Sequence, residues 1–256
     1  MGQRRSPLDV VDLERVAAQG WRGTEVEPLG EWSLRAGGGG FSSRAHSALA
    51  VGDAGRPLPE AVAAVEEWYT ARGLRPVVQL PGRQARPVDA ALARAGWDPP
   101  DSETLVLTTP LDAEEPGPLG PVALDPVPDD AWLATARRAG EQLPPQALTV
   151  LTQAERVAFA SVRADDGEVL GFARGVLVDD WLGISTVGVA ESARRGGLAT
   201  SLTRALQSWA VDDGARWCYL QVVAANAPAR VLYRRLGFIE HHRYHYRRAP
   251  LAAPAG

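Results

Sequence analysis

The ten residues Glu191-Ser-Ala-Arg-Arg-Gly-Gly-Leu-Ala-Thr200 stand between an apolar run that ends at Val189 and a helical pattern that begins at Leu198. A helix N-terminus presents N–H groups with no intrahelical partner and the positive end of the macrodipole, so it takes phosphate without a dedicated side chain. Gly196 and Gly197 let the backbone approach such an anion, and Arg194 and Arg195 add charge at the rim. The same residues also suit a plain glycine turn with solvated arginines. There is no Gly-Lys-Ser/Thr and no G-x-G-x-x-G, which sets aside Walker-type and dinucleotide loops. Further along, Tyr233 follows Asn226 by seven residues, about 700° of helical rotation, so the two share roughly one side. A phenol is protonated at neutral pH and suits a general acid, although an aromatic beside Leu232 is also ordinary core. Asn226 is open to two roles as well, helix cap or ligand contact.

The elements that would hold these residues are legible in the spacing. Val157–Val162 and Val169–Val178 are apolar, β-branched runs separated by Asp165-Asp166-Gly167, a hairpin signal; Trp181–Val189 reads as a third strand and Trp217–Val223 as another. Between them Leu198, Leu202, Ala205, Leu206 and Trp209 recur at helical spacing, with Gly214 placed to close the helix. Asn226 and Pro228 open a second helix that Gly237 ends. The first half repeats this grammar. At a shift of 141, Trp209, Gly214, Pro228, Gly237 and Phe238 fall on Trp68, Gly73, Pro87, Gly96 and Trp97, with Gln221 and Gln79 one residue out of step. The chain reads as two copies of one α/β unit. In the first copy, Arg56, Ala85 and Leu92 stand where the second has Gly197, Asn226 and Tyr233, so chemistry is expected only in the second.

Composition bounds the function. With 256 residues, 45% hydrophobic and 23% charged, the chain has material for a sizeable core, and two domains are expected. Cys218 is the only cysteine, which excludes an internal disulfide or thiolate zinc cluster. A net charge of −4 without a long basic stripe argues against a nucleic-acid partner. All 27 basic residues are arginines; the chain has no lysine. No run approaches the ~20 apolar residues of a membrane span, and MGQRRSPLDVVDLERV lacks a signal core, so a cytoplasmic protein without a membrane partner is expected. Proline, glycine and acidic residues mark a seam, giving a degenerate lobe over 1–110, a linker over 111–121, a working domain over 122–248 and a flexible tail over 249–256.

Arg194-x-x-Gly197-x-Ala199, then Trp209-Ala-x4-Gly214-Ala, Leu220-Gln-Val and Asn226-x-x-Ala229-x-x-Leu232-Tyr233-x-x-Leu236-Gly237-Phe238, resemble the acetyl-CoA-binding core of the GNAT superfamily of N-acetyltransferases. Trp32-x-Leu34-Arg35, Gly40-Phe41-x-x-Arg44-Ala45-x-Ser47 and Gly52-Asp53-x-Gly55 are similar to the leading part of two-lobed actinobacterial members. The resemblance implies an α/β fold of the α+β type, with two GNAT-like lobes. Each lobe would be a mixed, mostly antiparallel sheet flanked by helices, with a splayed central strand pair in the C-terminal one that admits the pantetheine arm. It implies acetyl-CoA contacts at Val187, Val189, Arg194, Arg195, Gly196, Gly197, Leu198, Ala199, Thr200, Asn226 and Tyr233, with pyrophosphate on the amides of 195–200. It implies direct attack of a primary amine, small-molecule or peptide, on the thioester, with Tyr233 protonating the thiolate.

Two points stay open. The strand Gly183–Val189 carries no carboxylate to serve as general base; Asp179, Asp180 or Glu191 could act through water, although surface turn and capping roles suit each better. In Glu240-His-His-Arg-Tyr-His-Tyr246 a strand pleat would place His242, Tyr244 and Tyr246 on one face, as a candidate acceptor wall, and would split the three histidines between faces, against a metal site. The alternative to an acetyltransferase is a non-catalytic acyl-CoA-binding regulatory module.

Overall fold

Alternating apolar runs and helical stripes pack into a single sheet covered by helices. The computed structural model describes residues 5–37, 42–112, 117, 120–136 and 143–251. Gly40 and Phe41, most of the expected linker (113–116, 118–119) and the tail from 252 lie outside the described residues. In chain order the elements are α1 (Val10–Gly20), β1 (Glu25–Leu29), β2 (Trp32–Ala36), β3 (Ala48–Leu49), α2 (Leu58–Thr70), β4 (Val77–Pro81), α3 (Arg86–Arg94) and β5 (Glu103–Pro110). They continue with β6 (Ala123–Asp125), α4 (Asp130–Thr135), α5 (Pro145–Thr152), β7 (Arg156–Arg163), β8 (Val169–Val178), β9 (Trp181–Val189), α6 (Leu198–Asp212), β10 (Trp217–Val223), α7 (Ala227–Arg235) and β11 (Ile239–Arg248).

The strands lie in the order β1-β2-β3-β4-β11-β5-β10-β9-β8-β7-β6. Read outward from the β5–β11 pair, the two halves match. β4 and β10 are each antiparallel to an inner strand and parallel to an outer one, and β2 and β8 are antiparallel to both neighbours. The repeat extends to helix ends, where Gly73 and Gly214 (φ 66° and 87°), and Gly96 and Gly237 (both 82°), take the left-handed turn that closes a helix. The closing strands are exchanged. β5 ends the first copy yet pairs with β10, β11 ends the second yet pairs with β4, and the two lie against each other. Each inner edge is thereby paired, and the sheet continues across residue 110.

Strand alternation assigns the faces of the sheet. Cys218, Leu220 and Val222 pack into an apolar cluster with α6 and α7, while Trp217 and Tyr219 join Trp181, Tyr244 and Leu13, Val16 and Ala17 of α1 on the other face. Trp181 and Trp217 stack at 5.6 Å between centroids. Under α1 a buried polar chain crosses the exchange. Arg35 donates to Gln79 (2.8 Å), Gln79 to Oε2 of Glu14 (2.9 Å), and Glu14 Oε1 meets His242 Nε2 (2.8 Å).

The histidines depart from the simple pleat. A bulge between Glu240 and His242 inserts His241, so the rings of His241 and His242 meet, with their Nδ1 atoms 2.8 Å apart. His241 also reaches the Leu8 carbonyl (3.0 Å), and His245 pairs with Asp89 (3.0 Å). His242 and Tyr244 are buried in the core, where they serve the α1 packing.

Glu14→Ala strips buried partners from both His242 and Gln79, which costs about 3 kcal/mol. Urea unfolding should show a lowered midpoint at unchanged slope; an unmoved midpoint would show the chain to be dispensable.

Candidate active site

Pairing between β9 and β10 runs in parallel from Trp181↔Trp217 to Ile184↔Leu220 and stops. β10 stays on β5 as far as Val223↔Thr104, and β9 stays on β8 as far as Val189↔Gly171. The two strands part toward their outer partners, which opens a wedge whose β9 wall, Ser185 to Val189, is half-buried. A bulge helps turn that wall. Between Arg174↔Ser185 and Phe172↔Gly188, one residue of β8 faces two of β9, and Thr186 takes φ 54°, a strained conformation for a β-branched residue.

The chain leaves Val189, makes a 3-10 turn over Glu191–Ala193, and bends through Arg195 (φ 66°) and Gly197 (φ 80°) into α6. Gly197 caps the helix with no side chain, and the first helical hydrogen bond runs from Ser201 N–H to the Gly197 carbonyl (3.0 Å). The amides of Leu198, Ala199 and Thr200 therefore have no intrahelical partner. Arg194 and Arg195 are exposed at the rim, Arg194 3.6 Å from Glu191. Val187 and Val189 on the wall thus stand next to the run 194–200 at the mouth.

The two other expected residues differ in burial, Asn226 being exposed and Tyr233 buried. The Asn226 side chain accepts from Ala229 N–H (3.2 Å) and caps α7. Tyr233 is only 6% exposed, edge-on to Phe238 at 5.7 Å in the same apolar cluster as Ile184 and Leu220, and burial pushes its phenol up to about 12. Asp179 and Asp180 lie in the turn between β8 and β9, at the opposite end of β9 from the wedge, with backbone carbonyls engaged by Arg156 and by Arg216 and Trp217. Glu191 projects into solvent.

The first copy has filled its own loop. After β3, Glu31 Oε2 accepts Asp53 N–H (2.7 Å) and Asp53 Oδ1 accepts Gly55 N–H (2.8 Å). Pro57 caps α2 and Pro59 occupies its first turn, removing N–H donors. Carboxylates and prolines stand where the second copy offers amides.

On the α1 face, at the point where the wedge begins, a small cleft opens between Trp21, Arg44, Arg174, Ser185, Tyr219 and Gln221. Its empty space is about 230 Å³ counting the open mouth. Gly183 leaves room for the Tyr219 ring, since a Cβ there would lie 2.4 Å from its hydroxyl. Arg174 is fully buried; Nε donates to the Leu151 carbonyl (2.7 Å) and Nη1 to that of Gly20 (3.1 Å), and burial lowers its pKa to about 10. Arg44 donates to Gln221 Oε1 (3.0 Å), which also accepts from Tyr244 (3.1 Å). Arg174, Trp21 and Ser185 escaped the sequence reading. The signal for Arg174 was a lone charge inside the apolar strand Val169–Val178; nothing marked the other two.

Residues 8–247 match the family described as "Probable histone acetyltransferase Rv0428c C-terminal". The chain belongs to this family. It is an acetyltransferase-family protein with the GNAT fold, and its closing strands bind two GNAT-like lobes into one sheet. It is 25% identical over 93% of its length to the "Uncharacterized N-acetyltransferase YobR" of Bacillus subtilis (strain 168), 98% of which is covered. The fold is that of a GCN5-related N-acetyltransferase from Kribbella flavida, with TM-score 0.70 at 20% identity over 98% of this chain and 99% of that one. It is also that of a tandem GNAT protein from the clavulanic acid biosynthesis pathway, with TM-score 0.66 at 15% identity over 99% and 91%. No helix among the described residues is long and apolar enough to cross a membrane.

In this acetyltransferase-family protein, Gly183→Ala drives a methyl group into the Tyr219 ring and should cost about 1–3 kcal/mol through overpacking. Calorimetric melting checks this; an unchanged melting temperature would mean that the ring moves freely.

Proposed function

We propose that this chain transfers an acetyl group from acetyl-CoA to a primary amine, using its second lobe. The observation that carries the reading is the coincidence of two features at one end of β9: parallel pairing lost after Ile184, and partnerless α6 amides at the mouth of the wedge so formed. The residues suit the co-substrate. Gly197 at positive φ brings backbone N–H groups to an anion without a Cβ in the way, Arg194 and Arg195 supply charge, and the free edge of β9 at Val187 and Val189 offers backbone groups to an amide-bearing arm.

When bound, acetyl-CoA supplies an activated acyl group: the amine nitrogen forms the C–N bond as the C–S bond breaks, the amine gives up one proton, and the thiolate gains one. Tyr233 is the proton donor at sulfur in this reading, and a buried phenol held protonated suits that task. Asn226 acts by fixing the start of α7 and hence the place of Tyr233 two turns along. The filled loop of the first copy makes that lobe a wall of the site, with one co-substrate per chain.

Gly197→Glu puts a side chain and a negative charge in the cradle and should abolish CoA binding in a folded protein, while the unmodified chain binds one CoA. Calorimetry reads both; retained affinity in the variant, or two CoA per chain, contradicts the assignment. CoA binding with no thiol release for any amine would favour a non-catalytic acyl-CoA-binding module.

Tyr233→Phe keeps the ring and removes the proton, so turnover should fall by roughly 10² to 10⁴ at unchanged CoA affinity. Because the folded phenol titrates near 12 and the unfolded one near 10, protonated Tyr233 contributes stability fully present below pH 10 and lost as pH rises toward 12. The alkaline limb of turnover due to this group should therefore lie near 12, and a limb near 10 that vanishes in the variant would show a phenol more exposed than its packing indicates.

A further inference from the structure

The cleft beside the wedge holds two guanidiniums and, among the described residues, no counter-charge. Arg174 and Arg44 place their Cζ atoms 5.1 and 4.4 Å from the centroid of the Trp21 ring, so two like charges share one small space. Neither forms an ion pair with a carboxylate among the described residues. The fully buried Arg174 binds carbonyls at the last turns of α1 and α5 through Nε and Nη1, and its third nitrogen, Nη2, has no partner among the described residues. Ser185, another wall of the cleft, likewise has a buried hydroxyl without a partner. Buried charges are ordinarily paired and buried donors satisfied, so a site with a spare guanidinium N–H, a spare hydroxyl and uncancelled positive charge is complementary to an anion.

Its position gives that anion a purpose. Ile184 and Ser185 on β9 and Gln221 on β10 are the residues at which pairing ends, so the cleft adjoins the inner end of the wedge from the face opposite α6. Resting on the acetyl-transfer reading above, we propose that this cleft is the acceptor site and that its substrate class is a small amine carrying a carboxylate, an amino acid, with Arg174 and Arg44 holding the carboxylate. The enclosed part of the cleft is only water-sized, room for the carboxylate end of a small acceptor whose remainder lies in the open mouth, and the two guanidiniums repel a lysine-rich peptide.

The experiment uses the full chain and first measures CoA binding by calorimetry. Loss of that binding overturns the transferase reading and this inference with it. With CoA bound, thiol release from acetyl-CoA is followed with the L-amino acids, with their carboxamides, which differ only in the carboxylate, and with a lysine-rich peptide. The expected result is a kcat/KM at least tenfold higher for some acids than for their amides. Arg44→Gln, at a half-buried position where folding should survive, should erase that preference through KM and leave CoA affinity unchanged. Amides equal to acids, preference for the lysine-rich peptide, no turnover of any acid, or a preference untouched by Arg44→Gln overturns the proposal while leaving the CoA site standing.

Discussion

β5 and β11 lie side by side at the centre of the sheet, each hydrogen-bonded to the copy that the other one closes. In an isolated lobe, the inner edges of β4 and β10 would be unpaired rows of N–H and C=O groups. Exchange satisfies both edges at once and ties the two copies into one hydrogen-bonded body. It also brings α1 of the first copy under β9, β10 and β11, where Leu13 and Ala17 pack on Trp181, Trp217 and Tyr219. The cleft that faces the wedge has walls from both copies only because of this arrangement.

Within that frame the two copies have diverged in chemistry more than in backbone. Both make a parallel pair flanked by a loop and a helix, β3–β4 with α2 and β9–β10 with α6. In one loop Glu31 and Asp53 accept the amides and prolines remove others; in the other, glycines and arginines leave the donors open. One loop leaves its amide donors without a side-chain cap, whereas the other has supplied its own acceptors. The first copy contributes instead through Trp21 and Arg44, which face the second copy's strands.

Positive charge is distributed on both sides of the sheet. The α6 terminus with Arg194 and Arg195 offers positive potential at the outer mouth of the wedge, and Arg174 with Arg44 offers it at the inner end. Ile184, Leu220 and the buried Tyr233 belong to one apolar cluster of the core. The low-dielectric core that raises the Tyr233 phenol also lowers the Arg174 pKa, the two directions following from one cause, the cost of burying a charge.

Local patterning alone determined a good deal of this protein. The strands over 169–178, 181–189 and 217–223, the helices after Gly197 and Asn226, and the repeat landmarks that became matched helix ends were all set by side-chain periodicity and by glycine at positive φ, which act over a few residues. The glycine turn that opens α6 was legible because a helix start is written in small residues in sequence order. Tertiary structure decided the rest. The strand exchange depends on which free edges meet, a choice that periodicity does not encode, and the bulges at Thr186 and His241 shift register by one residue in ways that the pleat alone misses. Tyr233 and His242 became core residues through neighbours distant in sequence. The pairing of Arg174 with Arg44, 130 positions away, arises only where two folded copies touch. Spacing along the chain reports local geometry, and a site assembled from both copies exists only once the sheet has closed.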